Sequence, residues 1–163
     1  MNVQIRKYMN SDLPQMRQIW NEVVLEGVSF PQDEPLTASQ AEDFFASQSY
    51  CSVAQDKETE KVLGLYILHP NNIGRCAHIS NASYAVSSEF RGQGIGRLLV
   101  ADCIAQAKNC GFKILQFNAV VRTNVSARRL YESLGFIQLG TIPRGFLMKN
   151  GNYEDICPYY KLL

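Results

Sequence analysis

Seven consecutive residues, Arg91-Gly92-Gln93-Gly94-Ile95-Gly96-Arg97, carry the strongest chemical signal in the chain. Closely spaced glycines let a backbone come near a ligand. The apolar periodicity that follows, from about Ile95 to Asn109, predicts a helix whose first N–H groups and positive dipole end face the loop. Such an arrangement suits a phosphate. Two nucleotide patterns fail on spacing. A Walker loop requires Lys-Ser or Lys-Thr after its last glycine, where this chain has Arg97-Leu98. The third glycine of a dinucleotide fingerprint G-x-G-x-x-G would fall on Arg97 counted from Gly92, or on Leu99 counted from Gly94. A glycine-rich turn that only joins strand to helix is the plain alternative.

Further along, the segment Asn124 to Phe136 opens on a helix-capping asparagine and reaches a glycine stop at Gly135. Asn124, Ala127 and Tyr131 recur at spacings of three and four, so they share one helix face. As structure alone, Leu130, Tyr131 and Leu134 are core contacts and Asn124 is a cap. The strand pattern His78 to Val86 contains no carboxylate; its polar candidates are His78 and Asn81, with Asn118 on the neighbouring apolar run Leu115 to Val120. A buried amide must find hydrogen bonds or cost roughly 1 to 3 kcal/mol. Each asparagine is therefore either a ligand contact or a satisfied core amide. His78 is either structural or, because imidazoles titrate near neutrality, a proton acceptor.

The elements that must hold these residues are legible in order. Asn2 to Tyr8 reads as a half-exposed strand, and Asn10-Ser11-Asp12 supplies capping side chains before a helix with the stripe Leu13, Met16, Ile19, Trp20, Val23 and Val24. Pro31 and Pro35 interrupt it, and a capping box of Thr37 with Gln40, or Ser39 with Glu42, opens a second helix. Tyr50 to Ala54 and Lys61 to His69 flank a polar turn as an antiparallel hairpin. After the third strand, His78 to Val86, come the loop and its helix, a strand from Phe112 to Val121 and the Asn124 helix. Strands at Phe136 to Ile142 and from Tyr153 to the end complete a single-domain α/β arrangement, a mixed sheet of about seven strands with helices on both faces.

Composition bounds the function. The chain has 163 residues, 46% of them hydrophobic, which is ample for one core and excludes intrinsic disorder. Sixteen basic against fifteen acidic residues leave a charge of +1, so the basic field of a nucleic-acid binder is missing. The first twenty residues resemble neither a secretory signal nor an anchor, and no window has the roughly 20 apolar residues of a spanning helix. A cytoplasmic protein without membrane or nucleic-acid partners is the expectation. Five scattered cysteines have no metal spacing and read as small, buried, reduced residues, with no metal implied.

Arg91-Gly92-x-Gly94-x-Gly96 after a strand, followed by helix, strand and Asn124-x-x-Ala127-x-x-Leu130-Tyr131-x-x-x-Gly135-Phe136, resembles the GNAT superfamily of acetyl-CoA-dependent N-acetyltransferases. The likeness runs along nearly the whole chain, with one departure at Ser88, where many members have proline. The resemblance implies a splayed central strand pair with acetyl-CoA between the strands. Backbone N–H groups of Arg91, Gly92, Gln93, Gly94, Ile95 and Gly96 would cradle its pyrophosphate, with Arg91 and Arg97 adding charge. Ala85 and Val86 would pair with the pantetheine arm, and an N–H near Val86 would face the thioester carbonyl. Asn124 and Ala127 would contact the arm, and Tyr131 would protonate the departing sulfur.

Acetyl transfer to an amine also requires that an ammonium lose a proton. Asn81 and Asn118 can orient a substrate amine, carboxylate or water but cannot act as bases. Local patterns, including Asn81-Ala82, Phe117-Asn118 and Thr123-Asn124, are similar to fungal GNAT enzymes that acetylate proline analogues. The stretch Ile19 to Pro31 is similar to bacterial members acting on amino-acid-like herbicides. Both imply a small amine or amino-acid acceptor held by Asn81, Asn118 and Phe30. A protein N-terminal acetyltransferase and a non-catalytic CoA-binding sensor are the alternatives. The resemblance also implies a possible homodimer, for which the apolar tail Ile156 to Leu163 would serve as core or interface.

Overall fold

A computed structural model describes residues 1–163. Its strands are β1 (Val3–Lys7), β2 (Tyr50–Asp56), β3 (Val62–Pro70), β4 (Ile79–Val86), β5 (Ile114–Val121), β6 (Ile137–Gln138), β7 (Ile142–Leu147) and β8 (Tyr153–Leu162). The helices are α1 (Leu13–Glu26), α2 (Ala38–Ala46), α3 (Ile95–Asn109) and α4 (Val125–Ser133). The strands form one open sheet in the order β1-β2-β3-β4-β5-β8-β6, with β7 also on β8. Every pairing is antiparallel except β4 with β5, which α3 joins as a parallel crossover.

The α1 stripe does what its spacing predicts: Met16, Ile19, Trp20, Val23 and Val24 are all buried. Of the two candidate boxes, Thr37 and Gln40 form the cap of α2, with Gln40 N–H donating to Thr37 Oγ1 at 3.2 Å and Thr37 N–H to Gln40 Oε1 at 2.9 Å. These two helices cover one sheet face around Trp20, Phe45, Val53, Leu65 and Ile67. Helix α3 covers the other with Leu99, Val100 and Cys103 against Tyr66, Leu68 and Leu115. Asp12 fastens α1 to β1: both its oxygens take the Arg6 guanidinium, at 2.7 and 2.8 Å, and Oδ2 also takes the Met9 N–H. Burial alone would raise the Asp12 carboxyl, but these hydrogen bonds outweigh it and hold it below the usual carboxylate range.

Two expectations change. The strand expected from Phe136 to Ile142 is two elements, the two-residue β6 and the separate β7, because Leu139-Gly140-Thr141 leaves the sheet. The sheet therefore has eight strands. Cys51, Cys103 and Cys157 are buried as expected, but Cys76 and Cys110 lie on the surface. Burial pushes the Cys51 and Cys103 thiols up to about 12, so both are unreactive. Of the apolar tail, Ile156, Cys157 and Tyr159 are core, while Leu162 is exposed.

The pairing of β4 with β5 is short. It runs only from Ile79 opposite Ile114 to Asn81 opposite Gln116, and beyond that the strands part. The reason lies one strand over. Between Phe117–Tyr159 and Val120–Cys157 in the β5–β8 ladder, Asn118 and Ala119 stand opposite the single residue Pro158. Pro158 turns its carbonyl to the other side of β8, where it accepts from the Leu139 N–H at 2.8 Å, so the extra residue of β5 has no partner and the strand bulges there as it parts from β4. On its other edge β4 is held tightly. A Cβ added to Gly64 of β3 would sit 2.8 Å from the Ala85 carbonyl oxygen and 3.2 Å from Leu99 Cδ1. Gly64→Ala is expected to destabilise the fold by about 1–3 kcal/mol, read as a lowered urea midpoint with an unchanged m-value.

Candidate active site

Beyond Asn81, the β5-facing edge of β4 has no strand partner, so the backbone groups of Ala82, Tyr84 and Val86, which alternate with those turned to β3, are free to pair with something else. Ala85 and Val86 lie in this open stretch. The chain then turns through Ser88–Phe90 into the glycine loop and α3. Gly92 and Gly94 have φ of +76° and +83°, and nothing lies within 4 Å of where a Cβ would stand. The N–H groups from Arg91 to Gly96 donate to no backbone carbonyl; the first that does so is that of Arg97, to Gly94. Six successive donors at the positive end of a 15-residue helix are a cradle for a polyanion. Ile95, fully buried, pins the loop to the core.

The arginines divide their roles. The Arg91 guanidinium donates to the Val86 carbonyl at 3.1 Å and pairs with Glu26 of α1 at 2.9 Å, so it braces the strand end with its charge compensated. Arg97 reaches Ser133 on α4 at 2.8 Å and carries no ion pair. Ser88 explains itself here. Where the family pattern has proline, this residue keeps an N–H and donates it to Glu22 Oε1 at 3.0 Å. Glu22 and Glu26, one helical turn apart, thus hold the turn and the loop against α1. The sequence shows neither contact in advance.

Helix α4 has no fully buried residue and is anchored through polar contacts, with Arg128 Nε donating to the Tyr159 hydroxyl and that hydroxyl to Glu132 Oε1. Asn124 caps it, its Oδ1 accepting from Ala127 N–H at 3.2 Å, which leaves its amide N–H groups for another partner. Tyr131 stands at the mouth of the splay, its ring 4.5 Å from Phe117 and 6.3 Å from Tyr84. Burial, with a smaller contribution from Cys103, pushes the Tyr131 phenol well above its ordinary range, so its proton is retained at any physiological pH. The Tyr84 hydroxyl beside it is buried without a hydrogen-bond partner.

On the opposite sheet face, Asn81 and Asn118 are brought together by a residue outside the candidate set. Asn71, just past β3, accepts at Oδ1 from Asn118 Nδ2 at 2.6 Å and from Asn81 Nδ2 at 3.3 Å. Its own Nδ2 donates to Asn118 Oδ1 at 3.2 Å, and Gln116 Nε2 donates to the same oxygen at 3.0 Å. The turn between β7 and β8 meets the C-terminal end of α1, with Lys149 Nζ donating to the Leu25 carbonyl and Lys149 N–H to the Gly27 carbonyl.

Two candidates stand apart from this cluster. His78 is exposed and precedes β4, at the end where the strands are still paired, about 23 Å along the strand from Ala85 at 3.3 Å per residue. Phe30 is buried 4.5 Å from Trp20, inside the α1–α2 core. The other histidine, His69, is the cross-strand partner of Asn81 and shares its face, a relation visible only in the register. No group of three or more His, Cys, Asp or Glu side chains could hold a metal, and no helix is long and apolar enough to cross a membrane.

The Acetyltransferase (GNAT) family matches residues 13–136. The N-acetyltransferase aca1 of Schizosaccharomyces pombe is 36% identical over 149 residues, 82% of this chain and 71% of that protein. A GCN5-related N-acetyltransferase from Kribbella flavida superposes with a TM-score of 0.91 at 34% identity, covering 99% of this chain and 98% of that one. A phosphinothricin acetyltransferase from Sinorhizobium meliloti in complex with AcCoA shares the fold, with a TM-score of 0.92 at 23% identity over 100% and 89% of the two chains.

With open space around Gly94, an added methyl meets only the conformational cost of a positive φ, about 1–2 kcal/mol. Gly94→Ala is accordingly expected to weaken coenzyme A binding roughly tenfold while the fold persists. Titration calorimetry checks it, and an unchanged Kd would exclude this loop as the phosphate cradle.

Proposed function

The chain belongs to the GNAT family and is an acetyl-CoA-dependent N-acetyltransferase; from that premise we propose that it acetylates the amine of a small amino acid or amino-acid analogue by direct transfer. The observation that carries this reading is the amide cluster of Asn71, Asn81 and Asn118, uncharged and able to meet both an acceptor and a donor. It lies on the sheet face opposite α3, beside the splay of β4 from β5.

Acetyl-CoA supplies an activated acyl group. The N–H row from Arg91 to Gly96 would bind its pyrophosphate, with Arg97 adding charge, and the free edge of β4 at Val86, beside Ala85, would pair with its amide arm. A backbone N–H at Val86 would face the thioester carbonyl. Asn124 offers its amide N–H groups to the same arm, along the face that Ala127 keeps low. Tyr131, holding its proton because of burial, donates it to the departing sulfur. Of the two histidines, His69 is the one on the amide face, and its Nδ1 lies 2.9 Å from the Pro70 carbonyl, so Nδ1–H donates there and Nε2 is the nitrogen left to accept a proton.

Free-thiol release from acetyl-CoA in the presence of a panel of amino acids and amines tests the reading. Stimulation by amino acids is expected, whereas peptide acetylation alone, or tight cofactor binding without turnover on any acceptor, would overturn it. Tyr131→Phe is expected to lower kcat at least tenfold while leaving acetyl-CoA affinity within twofold. His69→Gln is expected to lower kcat/KM at neutral pH, and His78→Gln to leave it unchanged; steady-state kinetics of the two variants side by side checks the assignment.

A further inference from the structure

We infer that Asn71 is a positioning residue that fixes which way the amides of Asn81 and Asn118 face, and so makes the acceptor site a receptor for a carboxylate. This rests on the amino-acid reading above and names the group by which such an acceptor is recognised.

A primary amide has two N–H donors and one oxygen with two lone pairs, and either end can point at a ligand. Here the hydrogen bonds leave little choice. The Asn118 oxygen is filled on both sides, by Asn71 Nδ2 at 3.2 Å and Gln116 Nε2 at 3.0 Å, so Asn118 has only its second N–H to offer. The first N–H of Asn118 is taken by Asn71 Oδ1 at 2.6 Å. The same Oδ1 takes one N–H of Asn81 at 3.3 Å, which leaves Asn81 with one N–H and its whole carbonyl oxygen. Asn71 is itself fixed, because its backbone N–H donates to the Ile79 carbonyl at 2.8 Å and the preceding Pro70 is still paired with Ser80.

The unspent groups are two N–H donors, on Asn81 and Asn118, and one acceptor oxygen on Asn81. Two N–H groups side by side match the two oxygens of a carboxylate. The Asn81 oxygen matches an amine on the adjacent carbon. No charged side chain hydrogen-bonds to any of the three asparagines, so the carboxylate is read by dipoles alone. An amine that lacks the carboxylate leaves both donors unmatched.

The experiment compares a neutral α-amino acid with its decarboxylated amine as acceptors for the full chain. In the wild type the amino acid is expected to have the higher kcat/KM; failure to acetylate any amino acid would overturn the inference together with the reading it rests on. Asn71→Ala is expected to raise KM for the amino acid about tenfold, the scale of one hydrogen bond to a charged group, and KM for the amine by clearly less, while KM for acetyl-CoA stays within twofold. Asn71→Asp keeps the oxygen that accepts from Asn81 and Asn118, and its charge beside the two donors is expected to raise KM for the amino acid only, which covers the case in which the alanine variant does not fold. Equal changes for both acceptors, or no change for either in both variants, would overturn the role of Asn71 alone.

Discussion

Three residue pairs of parallel ladder, from Ile79–Ile114 to Asn81–Gln116, are all that hold β4 to β5, and the rest of the site depends on that pairing ending where it does. One more pair would tie up the backbone of β4 that now lies bare. It would also bring Phe117 and Tyr84 closer than the edge-on 5.7 Å at which they pack, closing the mouth at which Tyr131 stands. The opening is stable because its two sides are secured elsewhere. Gly64 lets β3 lie against the Ala85 carbonyl, and the bulge of two residues opposite Pro158 bends β5. A gap in a sheet is thus maintained by close packing on one flank and by an extra residue in the ladder on the other.

The two faces of this gap use different chemistry. On the α3 face the binding groups are backbone N–H groups and a helix dipole, which need glycines and little else. Arg91, with the charge one would first assign to a phosphate, is spent on Glu26 and the Val86 carbonyl. The loop therefore owes its shape to α1 as much as to its own sequence, through Glu22 and Glu26. On the other face every binding group is a side-chain amide, and the orientation of each depends on its neighbours. That makes the acceptor side a cooperative unit, in which one substitution reorients several groups.

This contrast explains what the sequence discloses. The phosphate side is local: strand, glycines and apolar periodicity all lie between Ile79 and Asn109, and the helix spans Ile95–Asn109 as its pattern predicts. Asn124 and Tyr131 likewise keep their helical spacing. The acceptor side is assembled across the sheet. Asn71 and Asn118 are 47 positions apart and meet only because β3 ends in Pro70 beside β4 while β5 bulges at Asn118. His69 faces Asn81 through a register that no local pattern encodes, and nothing local tells that Phe30 packs, tilted, against Trp20 in the core rather than lining a pocket. The split of β6 from β7 escapes notice for a related reason, since Leu139 and Ile142 on either side of the break continue the apolar texture of a single strand.

The unpaired amides from Arg91 to Gly96 have a kinetic consequence as well as a chemical one. An amide proton inside a helix or ladder is shielded from solvent until its hydrogen bond opens, so its exchange with water reports local unfolding. These six have no bond to open, although Ile95 and the α1 carboxylates fix the backbone that carries them. Order and isotopic protection are therefore uncoupled in this segment. Deuterium would enter it at a rate set by the peptide chemistry alone, and slowing there measures occupancy of the loop rather than stability of the fold.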